Sequence, residues 1–354
     1  MFSASKKDPM KPKEFDTVSL QEDAAVSAAV PSMSVWRQRL QQLLAFAGLL
    51  VIFLVFSLVA PTTFPTYTNV MNILFSAVVI GCLAMGATLV IVTAGIDLSV
   101  GTGMALCAVM SATFIVKWGV PIWLGIILTL AFGAFLGFVN GTAVTVLGLP
   151  PFIATLATMM ICAGSALVIS NVAPIYFDSD KHSSYMWIST GNIIPGSGFP
   201  NAIIVLLIAV ALAYILFNKT ILGRYTVSIG SNMEATALSG INVKKWLVLI
   251  YTTAGIFTAV GGIMISARLG SAQPQLGRGY EMQAIAATVI GGTSLAGGKG
   301  SIIGTLIGAL IISVINNGLQ IIMLPQQWQD VVLGTVIVVV VFIDQLRNKQ
   351  AKAR

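Results

Sequence analysis

The stretch Gly95-Ile96-Asp97-Leu98-Ser99-Val100-Gly101 places a carboxylate and a hydroxyl two residues apart between long apolar runs. A carboxylate deep in hydrocarbon costs roughly 2.5–3.5 kcal/mol on insertion scales, so Asp97 must lie at a helix end, find a partner or face water. Two compatible readings follow. In one, Asp97 or Ser99 caps the helix beginning near residue 98 by accepting from its free N–H groups. In the other, the helices break here, and Asp97 and Ser99 offer acceptors to hydroxyls along a path. A second acid, Glu281, stands beside Tyr280 in Gly279-Tyr280-Glu281-Met282. It reads either as a first-turn carboxylate favoured by the helix macrodipole, or, with Tyr280, as a polyol contact at an outer mouth. Asn140, beside Gly141 near a span end, either caps or lines the same path. Phe152 and Thr155 open a further span after the rigid turn Pro150-Pro151 and are placed with that path. Thr155 and Thr158 are expected to bond backbone carbonyls of their own helix.

Other chemistry is missing from the pattern. A phosphate-binding loop needs a glycine, four residues, then Gly-Lys-Ser/Thr. In Gly292–Gly300, Thr293 occupies the first required position and Gly300 replaces the hydroxyl residue after Lys299. No paired carboxylates, triad or metal-ligand spacing stands out, and the chain has a single histidine, His182. Cys82, Cys107 and Cys162 all fall within apolar runs and read as small buried hydrophobes.

The elements that must position these residues are set by composition. Hydrophobic residues make up 56% of the 354, charged residues 9%, and the mean hydropathy is +0.92. A soluble domain carries about 25% charge, so this chain needs lipid around it. A crossing takes roughly 20 apolar residues. Ten runs qualify: 41–60, 69–93, 98–116, 121–147, 152–172, 201–218, 246–267, 279–293, 300–318 and 330–346. They lack strand alternation, so the expected fold is an all-α membrane bundle of about ten transmembrane helices. With both termini cytoplasmic, 15 Lys and Arg lie inside and only Lys117, Lys181, Arg268 and Arg278 outside, as orientation by basic residues requires. The net charge of +7 thus serves topology and not nucleic acid. The domain reading is a polar tail over 1–40, a permeating core over 41–346 and a basic tail over 347–354. The outer loop is 173–200 and the inner loop 219–245. Ala87-Thr88-Leu89-Val90 before Gly95–Gly101 is echoed by Ala287-Thr288-Val289-Ile290 before Gly291–Gly300, which suggests a repeat or chance similarity.

The inner loop specifies a helix of its own. Ser231-Asn232-Met233-Glu234 fits a capping box with Ser231 at the N-cap and Glu234 reaching back. Ala235, Ala237 and Leu238 favour helix, and Gly240 stops it. A helix of about two turns is marginal alone in water, so it needs a surface to dock against, protein or lipid.

Gly95–Gly101, Pro151–Met159, the run from Gly223-Arg224 through Gly230-Ser231-Asn232 to Gly240-Ile241, and Ala286–Gly300 together resemble the permeases of bacterial ribose, xylose and arabinose importers. The resemblance covers roughly 40–346. It implies a ten-helix permease, a homodimer with an alternately opening path at its interface, ATPase domains on a separate chain, and a periplasmic sugar-binding protein. ATP and Mg belong to that ATPase; the permease binds no cofactor and catalyses nothing. Ser231, Asn232, Glu234, Ala235, Leu238, Ser239 and Gly240 then couple it to the ATPase. Asp97, Ser99, Asn140, Phe152, Thr155, Tyr280 and Glu281 line the translocation pathway in a bundle surrounded by lipid. Similar permeases handle nucleosides, polyols, signalling furanoses and branched-chain amino acids, so the motifs track the family more than the solute. The contrasting expectation is a secondary transporter using Asp97 and Glu281 for a coupling ion. The isolated inner helix and the scarcity of buried charge speak against it.

Overall fold

In lipid, every backbone donor and acceptor must be satisfied within the chain, and apolar runs achieve this as helices. The computed structural model describes residues 31–193 and 198–352. Its helices are α1 (Pro31–Val59), α2 (Tyr67–Val92), α3 (Val100–Ala112, prolonged by a π-helical turn over Thr113–Lys117), α4 (Ile122–Thr145), α5 (Pro151–Ser170), α6 (Ser183–Thr190) and α7 (Asn201–Lys219). They continue as α8 (Ile221–Ser231), α9 (Met233–Leu238), α10 (Val243–Leu269), α11 (Tyr280–Ile290), α12 (Ile302–Ile321) and α13 (Gln326–Lys352). Strands β1 (Ile175–Tyr176) and β2 (Ser271–Ala272) pair antiparallel, with Ile175 opposite Ala272.

Seven helices among the described residues are long and apolar enough to cross a membrane: α2, α3 with its π turn, α4, α5, α7, α10 and α12. An apolar stretch over Leu43–Val59 in α1 is shorter. The expectation over 279–293 needs correction. The helix there, α11, has 11 residues, about 16 Å at 1.5 Å per residue, roughly half the hydrocarbon thickness. Gly279, the N-cap with φ +88°, and the pair Gly291-Gly292 cut it short at both ends. Helix α1 begins at Pro31, within the expected 1–40 tail, and α13 runs to Lys352, through most of the expected 347–354 tail. Residues 1–30 of the former lie outside the described residues.

Helix α2 is the centre of the bundle. Its most apolar window is 94% buried, against 22% for α4. Long helix α10 packs against α2, α3 and α4, and α12 against α2 and α11. Close approach depends on small residues, as the four-residue spacing of glycines suggests. A Cβ on Gly137 would strike the carbonyl of Tyr251, and one on Gly308 the carbonyl of Ala287.

Both long loops hold more structure than expected. Within 173–200, α6 docks on α10, and buried Tyr185 shares its hydroxyl with Ser111 at 2.9 Å and Ser266 at 2.7 Å. Short polar residues hide such a helix from a reading tuned to apolar runs. Within 219–245 there are two helices: α8 precedes α9 and buries Gly223, Thr226 and Ile229. Cys82, Cys107 and Cys162 are free and buried, as their apolar settings imply.

Candidate translocation and docking sites

Between α2 and α3 the backbone leaves helical geometry. Ala94 takes φ +63°, Gly95–Ser99 run without regular structure, and Ser99 is the N-cap residue of α3. Its side chain makes no cap bond. Instead Asp97 Oδ1 accepts the Ser99 backbone N–H at 2.8 Å and the Ser99 hydroxyl at 2.6 Å. The Ser99 Oγ in turn accepts the Asn140 Nδ2–H at 2.8 Å. Both donors at Oδ1 come from one residue, so a local turn holds the carboxylate. Thr155 Oγ1 donates to the Ile96 carbonyl at 3.1 Å and, as expected, to Pro151 in its own helix at 2.9 Å.

Three separated segments therefore meet, carrying Asp97 with Ser99, Asn140, and Thr155. The group is not open to a channel, since Asp97 is 5% exposed and Asn140 1%. It also includes Tyr251, which sequence reasoning missed. Gly95 leaves room for its hydroxyl, 2.7 Å from where a Cβ would stand. The signal was present in Tyr251-Thr252-Thr253, a polar interruption of an apolar helix. Asn140 Oδ1 and Tyr251 Oη are buried with no hydrogen-bond partner among the described residues. Such groups are costly to bury unpaired. They give the cluster unused capacity to accept or donate in another conformation.

Glu281 behaves as a first-turn carboxylate: its oxygens accept the Gly279 N–H at 3.2 and 3.1 Å. It lies against Gly101, where a Cβ would collide with Glu281 Oε2 and the Gly277 carbonyl. The starts of α3 and α11 thus abut. Tyr280 is half-buried beside it, while Phe152, 50% exposed near the start of α5, meets the polar group through its backbone carbonyl, 3.4 Å from Thr155 Oγ1.

On the second site the expected N-cap is displaced by one residue, and with Ala235 in the third helical position no reciprocal capping box forms. Ser231 is the last residue of α8, where its hydroxyl donates to the Val227 carbonyl at 2.8 Å. The N-cap of α9 is Asn232, whose Oδ1 accepts the Ala235 N–H at 2.9 Å. Helix α8, which the sequence reading lacked, claims Ser231 as its last residue. Helix α9 rests on α8 and α10 through buried Thr236. Glu234, Ala235, Ser239 and Gly240 are exposed, and Leu238 is 90% exposed. Gly240 holds φ +82°, ending the helix in a conformation that L side chains resist.

Apolar helices of spanning length packed around a broken, polar crossing, with a short helix displayed on a connecting loop, define a polytopic membrane transport protein. Residues 69–341 match the family model described as branched-chain amino acid transport system / permease component. The chain belongs to this family. It is a non-catalytic permease component and a multi-pass protein of the bacterial inner membrane. It is 40% identical to the ribose import permease of Escherichia coli strain K12 over 314 residues, covering 88% of this chain and 95% of that one. It is 41% identical to the ribose import permease of Bacillus subtilis strain 168, covering 87% and 94%. Identity to the fructose import permease of Rhizobium meliloti is 38%, covering 79% and 78%. No solved structure matches the chain.

Proposed function

We propose that this chain is the membrane-spanning permease subunit of an ATP-binding-cassette importer for a monosaccharide. Relatives that import ribose and fructose and align over most of the chain support the substrate class. The observation that carries the mechanism is α9. A capped helix of six residues, seated on two longer ones and displaying Leu238 and Met233, suits docking of a separate ATPase. Closure of the ATPases then moves α9, while a periplasmic binding protein delivers the sugar. Ser231, Asn232, Glu234, Ala235, Leu238, Ser239 and Gly240 form this contact. Both termini face the cytoplasm, and ten crossings arise if α1, α13 and the segment 270–292 around short α11 join the seven long helices. Two copies form the path between them. Asp97, Ser99, Asn140 and Thr155 form its polar hinge, with Tyr280, Glu281 and Phe152 beside it.

The test is uptake into proteoliposomes of radiolabelled ribose, fructose and galactose. The permease is reconstituted alone, or with its ATPase and binding protein. ATP-dependent accumulation of one of these sugars only in the full assembly is expected. Accumulation by the permease alone under a proton or sodium gradient would overturn the proposal.

A further inference from the structure

Three separate backbone segments meet at a junction made of glycines. Helix α2 ends at Val92, and the last carbonyls of a helix lack partners within it. The Val92 carbonyl is satisfied by the Gly298 N–H at 2.8 Å, from the loop between α11 and α12. That loop is closed on itself: Ser294 N–H donates to the Lys299 carbonyl at 3.1 Å, and Gly297 N–H to the Ser294 carbonyl at 3.0 Å. The third segment is the end of α8. A Cβ on Gly230 would collide with the Val92 carbonyl and lie 2.6 Å from Gly298 N. A Cβ on Gly297 would lie 2.7 Å from the Gly230 carbonyl and 3.0 Å from Ala94 N, and one on Gly298 would lie 2.6 Å from Ser231 Oγ. Gly297 and Gly298 both hold positive φ, +84° and +74°. Side chains are thus excluded here by space and, for two of the three glycines, by backbone geometry as well.

The position of this junction gives it a role. Gly230 is two residues before Asn232, the cap of α9, and Val92 is five residues before Asp97. Gly230 meets the Val92 carbonyl and Gly298 N, and Gly297 meets the Gly230 carbonyl and Ala94 N, backbone against backbone, so these contacts leave little slack to absorb a displacement. We infer that Gly230, Gly297 and Gly298 are positioning residues that pass motion of α9 to the α2–α3 break and its Asp97–Ser99–Asn140 cluster. Ala94, held at φ +63° in the same contact, is the strained point at which the break moves. The inference rests on α9 being the ATPase-docking helix.

The experiment uses the full transporter, with ribose, fructose and galactose as the sugar probes. Gly230→Ala and Gly298→Ala are compared with Gly164→Ala, whose Cβ would meet open space. Both junction variants are expected to co-purify with the ATPase and keep basal ATP hydrolysis. Sugar uptake, and the hydrolysis stimulated by loaded binding protein, should fall roughly tenfold. Gly164→Ala should match the wild type. Uptake and stimulation within about twofold of wild type in both junction variants would overturn the inference. If a variant fails to insert, hydrogen exchange on the wild-type assembly decides. Trapping with ATP and vanadate should change protection over 93–99 and 294–299 together with 230–240. A change confined to 230–240 would sink the relay. Failure of the wild-type chain to bind the ATPase at all would instead remove the importer proposal, and the relay with it.

Discussion

At the scale of single residues, Asp97 and Asn140 sit in one hydrogen-bonded chain but carry different consequences. Asp97 holds the turn, accepting both donors of Ser99. Asp97→Leu strands them and should cost about 1–3 kcal/mol for each buried group left unpaired, seen as a lower Tm in detergent. Asn140 has one oxygen already unpartnered, so Asn140→Leu removes a liability together with a donor. Its stability should stay within about 1.5 kcal/mol of wild type while uptake falls. Unchanged uptake in a stable Asn140→Leu protein would take the cluster off the pathway. The sequence made Asp97 and Ser99 legible because an acid between apolar runs demands an explanation. Tyr251 escaped notice because its one signal is the short polar interruption Tyr251-Thr252-Thr253 within an apolar helix. Only the space above Gly95 shows what its hydroxyl faces.

At the scale of elements, α9 separates two assignments of its cap. Asn232→Ala removes the acceptor of the Ala235 N–H and should cost about 0.5–2 kcal/mol of local helix stability. Ser231→Ala removes a bond within α8 and leaves the cap of α9 in place. Co-purification of the ATPase and sugar uptake should therefore drop further for Asn232→Ala than for Ser231→Ala. The reverse order would restore the original capping box. Gly240→Val should be severe through its positive φ alone, since no atom crowds the position, and Gly240→Asn should be tolerated. A helix here was readable between Ser231 and Gly240, one residue early at its cap, because caps and stops are local chemistry. Helix α8 was not, because its stability comes from burying Gly223, Thr226 and Ile229 against the bundle. Helix α11 was misjudged in length for a related reason: hydropathy continued where the glycines turned the chain. Thr288 Oγ1 donates to the Ala84 carbonyl at 3.3 Å, a bond between α11 and α2.

At the scale of the whole molecule, orientation is the property on which every functional assignment depends. Single cysteines at positions 182 and 234 should react from outside and inside respectively in intact cells. The native Cys82, Cys107 and Cys162 are buried and should stay silent under the same membrane-impermeant reagent. External labelling at 234 would reverse the topology and disconnect α9 from any cytoplasmic ATPase. The bundle itself was legible from composition, since a chain with 9% charge has few other folds open to it. Which helix lies at its centre was not, because α2 and α4 are almost equally apolar, with hydropathies of 2.4 and 2.3. Burial separates them, at 94% for α2 and 22% for α4. The display of Leu238 also bears on the lifetime of the protein in the cell. A copy without its ATPase presents a bare leucine, 90% exposed, on a six-residue helix held only by its cap and its seat on α8 and α10. Cellular proteases and chaperones act on such transiently open, apolar segments. Orphan permease should therefore be cleared faster than assembled permease, so that supply of the ATPase sets the amount of both. Pulse-chase turnover with and without the ATPase measures this, and Leu238→Ser should lengthen the life of the orphan while weakening assembly.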